Sequence, residues 1–340
     1  MLYEMIGITI LWALLYGYVI VASIDFGAGF FSYYGKLKKK DHLINDMVNR
    51  YLTPVWEVTN VFFIYIFVGL VGFFPKAAYY YGTTLLVPGS VALILLTIRG
   101  TFYAFADYGA RESTVYRFLY GVTGLLTPAA LSTVLTISEG GFIREGDDGG
   151  IEFVPQLLFA SPYSWTVVLL AIVSVLFISA SFLTYYASRA EDKEAMELLR
   201  QFALWWSGPT IFASILVFST LRIHNAFHFT VMLHYSWMFL LSFLFFMGAV
   251  YLIIQRKALG TAFIMVMLQF GFAFFGYGIS HLPYLLFPYV TIESGSTNPQ
   301  MGLSLVIVFM GGLFLLIFSL YLLFRHFLYN ANVLKGQAKS

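Results

Sequence analysis

The sequence predicts an all-α polytopic membrane protein of about nine transmembrane helices, and its composition is the first reason. Sixty per cent of the 340 residues are hydrophobic and only 11% are charged, whereas a soluble domain is roughly 45–50% apolar and about 25% charged. The mean hydropathy is +0.81. Such a chain has too little polar surface to cover a soluble core, so lipid is its main solvent.

Apolar segments of spanning length are the second reason. A membrane helix needs roughly 20 apolar residues because the hydrocarbon core is about 30 Å thick. The first segment carries Glu4 instead of a basic leader and is too long for a signal peptide, so we expect an uncleaved helix. The predicted spans are 5–34, 54–75, 80–105, 115–138, 164–188, 201–222, 231–254, 259–287 and 301–328.

The distribution of basic residues is the third reason, and it predicts the orientation. If the chain crosses the membrane nine times, sixteen of its nineteen Lys and Arg residues lie on the same side of the membrane. The other side holds Lys76, Arg144 and Arg222, with an acidic cluster in its longest loop that includes Glu139 and Glu152. We therefore expect the amino terminus outside and the carboxyl terminus in the cytoplasm. The sixteen are Lys36, Lys38, Lys39, Lys40, Arg50, Arg99, Arg111, Arg117, Arg189, Lys193, Arg200, Arg256, Lys257, Arg325, Lys335 and Lys339.

The spans are predicted to form a single transmembrane domain over residues 1–340. Similar aromatic runs at 30–34 and 182–186 end the first and fifth spans. They suggest a repeat of parallel topology, with 1–138 and 164–287 as two four-helix bundles and 301–328 as one extra helix. The alternative is chance similarity in a chain rich in Phe and Tyr.

Ionisable residues within membrane spans are costly and therefore mark candidate functional sites. Four of them fall near the cytoplasmic side of the first three spans: Asp25, Glu57, Arg99 and Asp107. They form either a proton path or an arginine–carboxylate pair that ties helices together. The run Asp25-Phe26-Gly27-Ala28-Gly29 adds small residues that permit close helix approach.

Histidines form the second candidate group. His224, His228, His234 and His281 lie toward the outer side. Two histidines four residues apart can bind a metal ion, but zinc and copper require further ligands. We therefore predict hydrogen-bonding histidines and no metal site. The chain has no cysteine, which excludes disulfides and thiolate metal sites. It also lacks nucleotide-binding and catalytic-triad motifs, so no catalytic residue is assigned to it.

Three motifs resemble subunit II of the cytochrome bd-type quinol oxidases. They are Ser23-Ile24-Asp25-Phe26-Gly27-Ala28-Gly29, Pro54-Val55-Trp56-Glu57 and Ile98-Arg99-Gly100. The sequence departs from the family pattern in two of these regions. Glu57 stands where many members have Asp, and Val58-Thr59 follow it where many have Gly-Asn. Val21 and Ala22 stand where many members carry a second acid. Asp25 is therefore the one acidic residue that this motif contributes to the first helix.

The resemblance implies a respiratory oxidase that oxidises quinol at the outer face, reduces dioxygen to water and takes protons from the cytoplasm. Low-spin heme b, high-spin heme b and heme d are expected in subunit I, and no cofactor is expected in this chain. The implied partners are subunit I in a heterodimer, a small single-helix accessory subunit, membrane lipid and quinol, and no nucleic acid. The implied location is the bacterial cytoplasmic membrane.

Two other classes of function remain open at this stage. One is an ion-coupled secondary transporter in which Asp25 and Glu57 bind the coupling ion at broken helices. The other is a subunit that ligates heme through His224, His228 or His281.

Overall fold

A computed structural model describes residues 2–37, 59–105, 114–145 and 151–327. Within these ranges the chain forms thirteen helices and two small hairpins. The helices are α1 Leu2–Leu37, α2 Thr59–Phe73, α3 Pro75–Thr84, α4 Leu86–Phe105, α5 Thr114–Ser138, α6 Pro155–Ala160, α7 Pro162–Arg189, α8 Lys193–His224, α9 Ala226–His234, α10 Ser236–Gln255, α11 Leu259–His281, α12 Ile292–Gly295 and α13 Pro299–Phe327. The strands are β1 Ile143–Glu145, β2 Ile151–Phe153, β3 Tyr284–Leu286 and β4 Val290–Thr291.

Seven helices in the described part of the chain are long and apolar enough to cross a membrane. They are α1, α5, α7, α8, α10, α11 and α13. The bent pair α3–α4 makes an eighth span if it counts as one crossing, and α2 is a shorter apolar helix. The helical membrane fold agrees with the sequence prediction, whereas the count of nine stays a prediction.

Helix α1 lies at the centre of the packing, in contact with both α5 and α7. Helix α7 also packs along α8, and α10 packs along α11. One hydrophobic cluster joins α1, α7, α8, α10 and α11 around residues such as Phe177 and Leu183. A second joins α1, α2 and α13 to the hairpins and includes Phe74, Leu286 and Phe309.

Glycine permits the close contacts of α1. A Cβ atom at Gly27 would lie 2.3 Å from the Ser179 Cβ on α7, and one at Gly124 on α5 would lie 2.3 Å from the Phe26 carbonyl oxygen. Neither distance is sterically possible, so only glycine allows these backbones to approach. The expectation of close packing beside Asp25 is met by these contacts.

Both hairpins lie at the end of the bundle that carries Glu139, the predicted outer end. Strands β1 and β2 pair antiparallel, as do β3 and β4. The Phe287 amide donates to the Ser138 carbonyl, which joins the second hairpin to the end of α5. Only helices were predicted from the sequence, because strands of two or three residues are too short to show an alternation of polar and apolar residues.

The predicted third span, 80–105, is wrong as a continuous helix. Helices α3 and α4 meet at an angle of 80°. Pro88 lies in the first turn of α4 and has no N–H to donate to the Thr84 carbonyl, so a straight helix through this point would lose a hydrogen bond. Pro75 begins α3, which separates it from α2.

Three other predicted boundaries also change. The predicted span 259–287 ends as a helix at His281 because Pro283 holds Leu282 in an extended conformation. The predicted spans 201–222 and 231–254 become α8 and α10, and the short helix α9 lies between them. Asn225 separates α8 from α9, and its side chain accepts a hydrogen bond from the His228 amide at the start of α9.

Candidate functional site

A buried ion pair between Asp25 and Arg99 joins α1 to α4. The Arg99 Nε donates to Asp25 Oδ2 at 2.7 Å, and a second guanidinium nitrogen donates to the Asp25 backbone carbonyl. Arg99 is fully buried, and Asp25 is 1% exposed. Asp25 lies roughly 18 Å before the end of α1 at Leu37, at 1.5 Å per residue. The pair is therefore deep within the helical bundle.

Helix α5 completes the surroundings of this pair through Tyr120. The Tyr120 hydroxyl donates to Asp25 Oδ1 at 3.2 Å, and its backbone carbonyl accepts from Arg99 at 3.0 Å. The guanidinium carbon also lies 4.2 Å from the centre of the Tyr120 ring and 5.2 Å from that of Phe26. Ring faces attract a desolvated cation, so both the carboxylate and the aromatic neighbours stabilise the Arg99 guanidinium at this position.

Two glycines leave room for the Arg99 side chain. A Cβ at Gly29 would lie 3.0 Å from a guanidinium nitrogen of Arg99, and one at Gly124 would lie 3.4 Å from the same nitrogen. The two glycines that follow Asp25 therefore permit two close contacts. Gly27 contacts α7, and Gly29 contacts the Arg99 side chain.

Of the four residues predicted for a proton path, the structure brings Asp25 and Arg99 together. Glu57 and Asp107 lie outside the described residues, as does the motif 54–57. Tyr120 was missed by the sequence analysis, because a tyrosine in a chain with 24 tyrosines carries no distinguishing signal.

A second polar cluster lies at the other end of the bundle, around Glu139. This carboxylate follows α5 and is 2% exposed. His228 Nδ1 lies 2.8 Å from Glu139 Oε1, and the Tyr277 hydroxyl donates to the same oxygen. The Asn225 side-chain amide donates to Oε2 at 2.9 Å. Each oxygen of the buried carboxylate therefore has a hydrogen-bonding partner.

His281 and His224 complete the surroundings of Glu139. His281 Nδ1 lies 3.5 Å from Glu139 Oε1, and its ring is stacked on Tyr277. His224 is stacked between Phe142 and Tyr163 and donates to the Gly140 carbonyl at 3.1 Å. The predicted hydrogen bonding of His224 and His228 is seen here.

Glu139 remains ionised in this environment. Burial alone raises the pKa of a carboxyl group, but the hydrogen bonds from His228 and His281 outweigh burial and hold the pKa of Glu139 well below its usual range. In the sequence, Glu139 is only one of several acidic residues in a predicted outer loop. Its partners lie on α9 and α11, so no local pattern could have revealed the cluster.

Three of the described histidines, His224, His228 and His234, do not fit axial heme ligation. Both ring nitrogens of His228 are engaged, by Glu139 and by Ser280. Both faces of the His224 ring are covered by aromatic rings. His234 Nδ1 donates to the Thr230 carbonyl at an exposed position. A heme needs a free imidazole nitrogen above an open flat space, and none of these three offers both.

Comparison with known proteins identifies the family. The family described as "Cytochrome bd terminal oxidase subunit II" matches residues 3–327. The chain belongs to this family. It is 35% identical over 303 residues to the protein of Bacillus subtilis (strain 168) named "Putative cytochrome bd menaquinol oxidase subunit II", covering 87% of each chain.

A solved structure of a bd oxidase from Geobacillus thermodenitrificans contains a chain with the same fold as this subunit II. The TM-score is 0.85 at 55% sequence identity, and the match covers 97% of this chain and 100% of that one. The resemblance found in the three sequence motifs is thereby confirmed. This subunit II is part of a quinol oxidase of the respiratory chain, an oxidoreductase complex of the membrane that includes a subunit I and hemes. The transporter alternative is not favoured.

Proposed function

We propose that this chain supports a heme-bearing subunit I and provides, at Asp25, a relay for protons that enter from the cytoplasm. The buried Asp25–Arg99–Tyr120 cluster is the observation that supports the proposal. Reduction of dioxygen to water consumes protons, and a carboxylate inside the membrane can bind and release one. Glu57 and Asp107 remain proposed members of the same path.

The geometry supports separate roles for the two oxygens of Asp25. Oδ2 accepts a hydrogen bond from Arg99 at 2.7 Å, and Oδ1 accepts a longer one from Tyr120 at 3.2 Å. We propose that an arriving proton binds at Oδ1, where it displaces the longer bond, and that the Tyr120 hydroxyl rotates away as it binds. Arg99 keeps its charge throughout, so the cluster changes from neutral to +1 and returns to neutral when the proton leaves.

The alternative role of the pair is structural. Removing one partner of a buried ion pair leaves an uncompensated charge, which costs about 3–5 kcal/mol. A purely structural pair predicts that the complex is lost when Asp25 is neutralised. A relay predicts that the complex survives and turns over slowly.

The test is Asp25→Asn in the complete oxidase. Asparagine keeps the size and hydrogen bonding of aspartate but cannot titrate. Oxygen consumption per heme should fall at least about tenfold, given that positioned proton transfer contributes about 10²–10⁴ in rate, while heme content and quinol binding persist. Asp25→Glu, which keeps a titrating group, should retain part of the turnover.

Asp192→Asn is the matched control, because Asp192 caps α8 outside the cluster and asparagine is an equally good cap. It should leave turnover unchanged. Full turnover in an intact Asp25→Asn complex would remove Asp25 from the path. Failure of that variant to assemble would assign the pair a structural role instead.

A further inference from the structure

The Glu139 cluster contains three ligand-type atoms that face one another. The carboxylate of Glu139 and the ring nitrogens of His228 and His281 lie within 4.8 Å of one another. The residues come from the end of α5, from α9 and from α11. Two histidines and one carboxylate, without cysteine, form a ligand set typical of zinc and other first-row divalent metals.

The other ring nitrogen of His228 is held by a residue outside this set. His228 Nε2 lies 2.8 Å from the Ser280 hydroxyl oxygen, and that hydroxyl donates to the Tyr277 carbonyl at 2.8 Å. The contact orients the ring so that Nδ1 faces Glu139. A hydrogen bond from a metal-binding histidine to a second residue is the usual way in which proteins orient such a ligand.

The same carboxylate oxygen is close to His228. Nδ1 of His228 is 2.8 Å from Oε1 of Glu139, and this carboxylate also accepts hydrogen bonds from Tyr277 and Asn225. Nδ1 and Oε1 are therefore placed so that one metal ion can bind both atoms.

His281 brings a second ring nitrogen to the same oxygen. Its Nδ1 points to Oε1 of Glu139 at 3.5 Å. Two imidazole rings from different helices therefore converge on one carboxylate oxygen, and one metal ion can engage both rings.

The distances fit such an ion. Two ligands with bonds of about 2.0 Å to a tetrahedral zinc ion lie about 3.3 Å apart. The two observed nitrogen-to-oxygen separations, 2.8 Å and 3.5 Å, lie on either side of this value, and the three ligand atoms all lie within 4.8 Å of one another. Modest side-chain shifts can therefore form the site. Glu139 and His228 are each 2% exposed, so the protein shields this position from solvent.

We propose that Glu139, His228 and His281 bind one first-row divalent metal ion, which clamps α5, α9 and α11 together at this end of the bundle. This site is independent of the proton relay at Asp25. Each proposal can fail without the other.

The test measures zinc in the purified oxidase by mass spectrometry after equilibration with micromolar zinc and removal of free metal. We expect about one zinc ion per complex. The count should fall at least fivefold in His281→Gln and in His228→Gln. His234→Gln is the matched control, since His234 is an exposed histidine on α9 that donates to the Thr230 carbonyl and lies outside the Glu139 cluster. It should retain the zinc.

A wild-type complex that takes up no zinc would overturn the proposal, and so would zinc that both variants retain. If the variants fail to assemble, X-ray absorption at the zinc edge of the wild-type complex decides. Two imidazole nitrogens and one oxygen at about 2.0–2.2 Å are the expected shell. A shell without imidazole would overturn the site.

Discussion

Two buried carboxylates in this subunit are stabilised by partners of different chemistry. Asp25 faces Arg99, which is cationic at any physiological pH. Glu139 faces His228 and His281, which can be neutral or charged. The first cluster therefore pairs two opposite charges inside the bundle, whereas the second offers nitrogen and oxygen atoms that a metal ion can bind.

At the scale of single residues, the histidines can be tested for heme ligation. Substituting His224, His228, His234 and His281 singly with Gln should leave the heme content of the assembled oxidase unchanged. The reason is that His224 is enclosed by aromatic rings and His228 is bonded at both nitrogens. The measurement is the pyridine hemochrome spectrum per mole of complex. Loss of one heme in any assembled variant would show that this chain supplies an axial ligand.

Some residues of the two clusters can be recognised in the sequence, and others cannot. Asp25 and Arg99 could be singled out because a charged residue inside an apolar run is conspicuous by itself. Glu139 could not, because it directly follows a span and resembles an ordinary loop acid. Its partnership with Tyr277 joins residues 138 positions apart. Only the three-dimensional arrangement of α5, α9 and α11 reveals it.

At the scale of elements, most spans could be predicted from hydropathy alone. The segment 115–138 corresponds to α5 and 164–188 to α7 within two residues at each end. The bend between α3 and α4 was missed because Pro88 lies in a continuous apolar run, where composition gives no warning. The hairpins were missed because their strands have only two or three residues.

Glycine substitutions in α1 and α5 test the packing of these elements. Gly27→Ala and Gly124→Ala each place a Cβ 2.3 Å from a neighbouring atom. Overpacking of this kind costs about 1–3 kcal/mol, so the thermal unfolding midpoint of the complex should fall in both variants. The measurement is a thermal shift of the detergent-solubilised oxidase.

Gly208→Ala is the control for these two substitutions. A Cβ at Gly208, within α8, meets nothing within 4 Å. Alanine also favours a helix by about 1 kcal/mol over glycine, so this variant should be as stable as the wild type or more stable. Equal midpoints in all three variants would mean that α1 and α5 do not pack as closely as described.

At the scale of the whole molecule, the described part of the subunit leaves large apolar side chains exposed on several helices. Helix α13 leaves Ile307, Val308, Phe314 and Leu315 exposed, and α4 leaves Ile94 exposed. Lipid can cover such faces, and so can another membrane subunit. We expect part of this surface to be the contact with subunit I, with a total interface above the roughly 2,000 Å² at which obligate interfaces begin.

Expression of this chain without subunit I tests that dependence. Obligate partners often have no stable folded monomer. The isolated chain should therefore be recovered at least fivefold less well and should aggregate on size-exclusion chromatography. The co-expressed pair, purified identically, is the control. A monodisperse isolated chain that resists proteolysis as well as the pair does would contradict the expectation.

The position of Glu139 also has a consequence for the order of synthesis. The ribosome adds Glu139 138 residues before its partner Tyr277, a delay of about 7–28 s at about 5–20 residues per second. Asn225 and His228 are made within that interval, whereas Tyr277 and His281 come last, with α11. The helices on either side can insert in the meantime, but this end of the bundle is completed only when α11 arrives. A nascent chain that stops before α11 therefore lacks two of the side chains that surround the carboxylate.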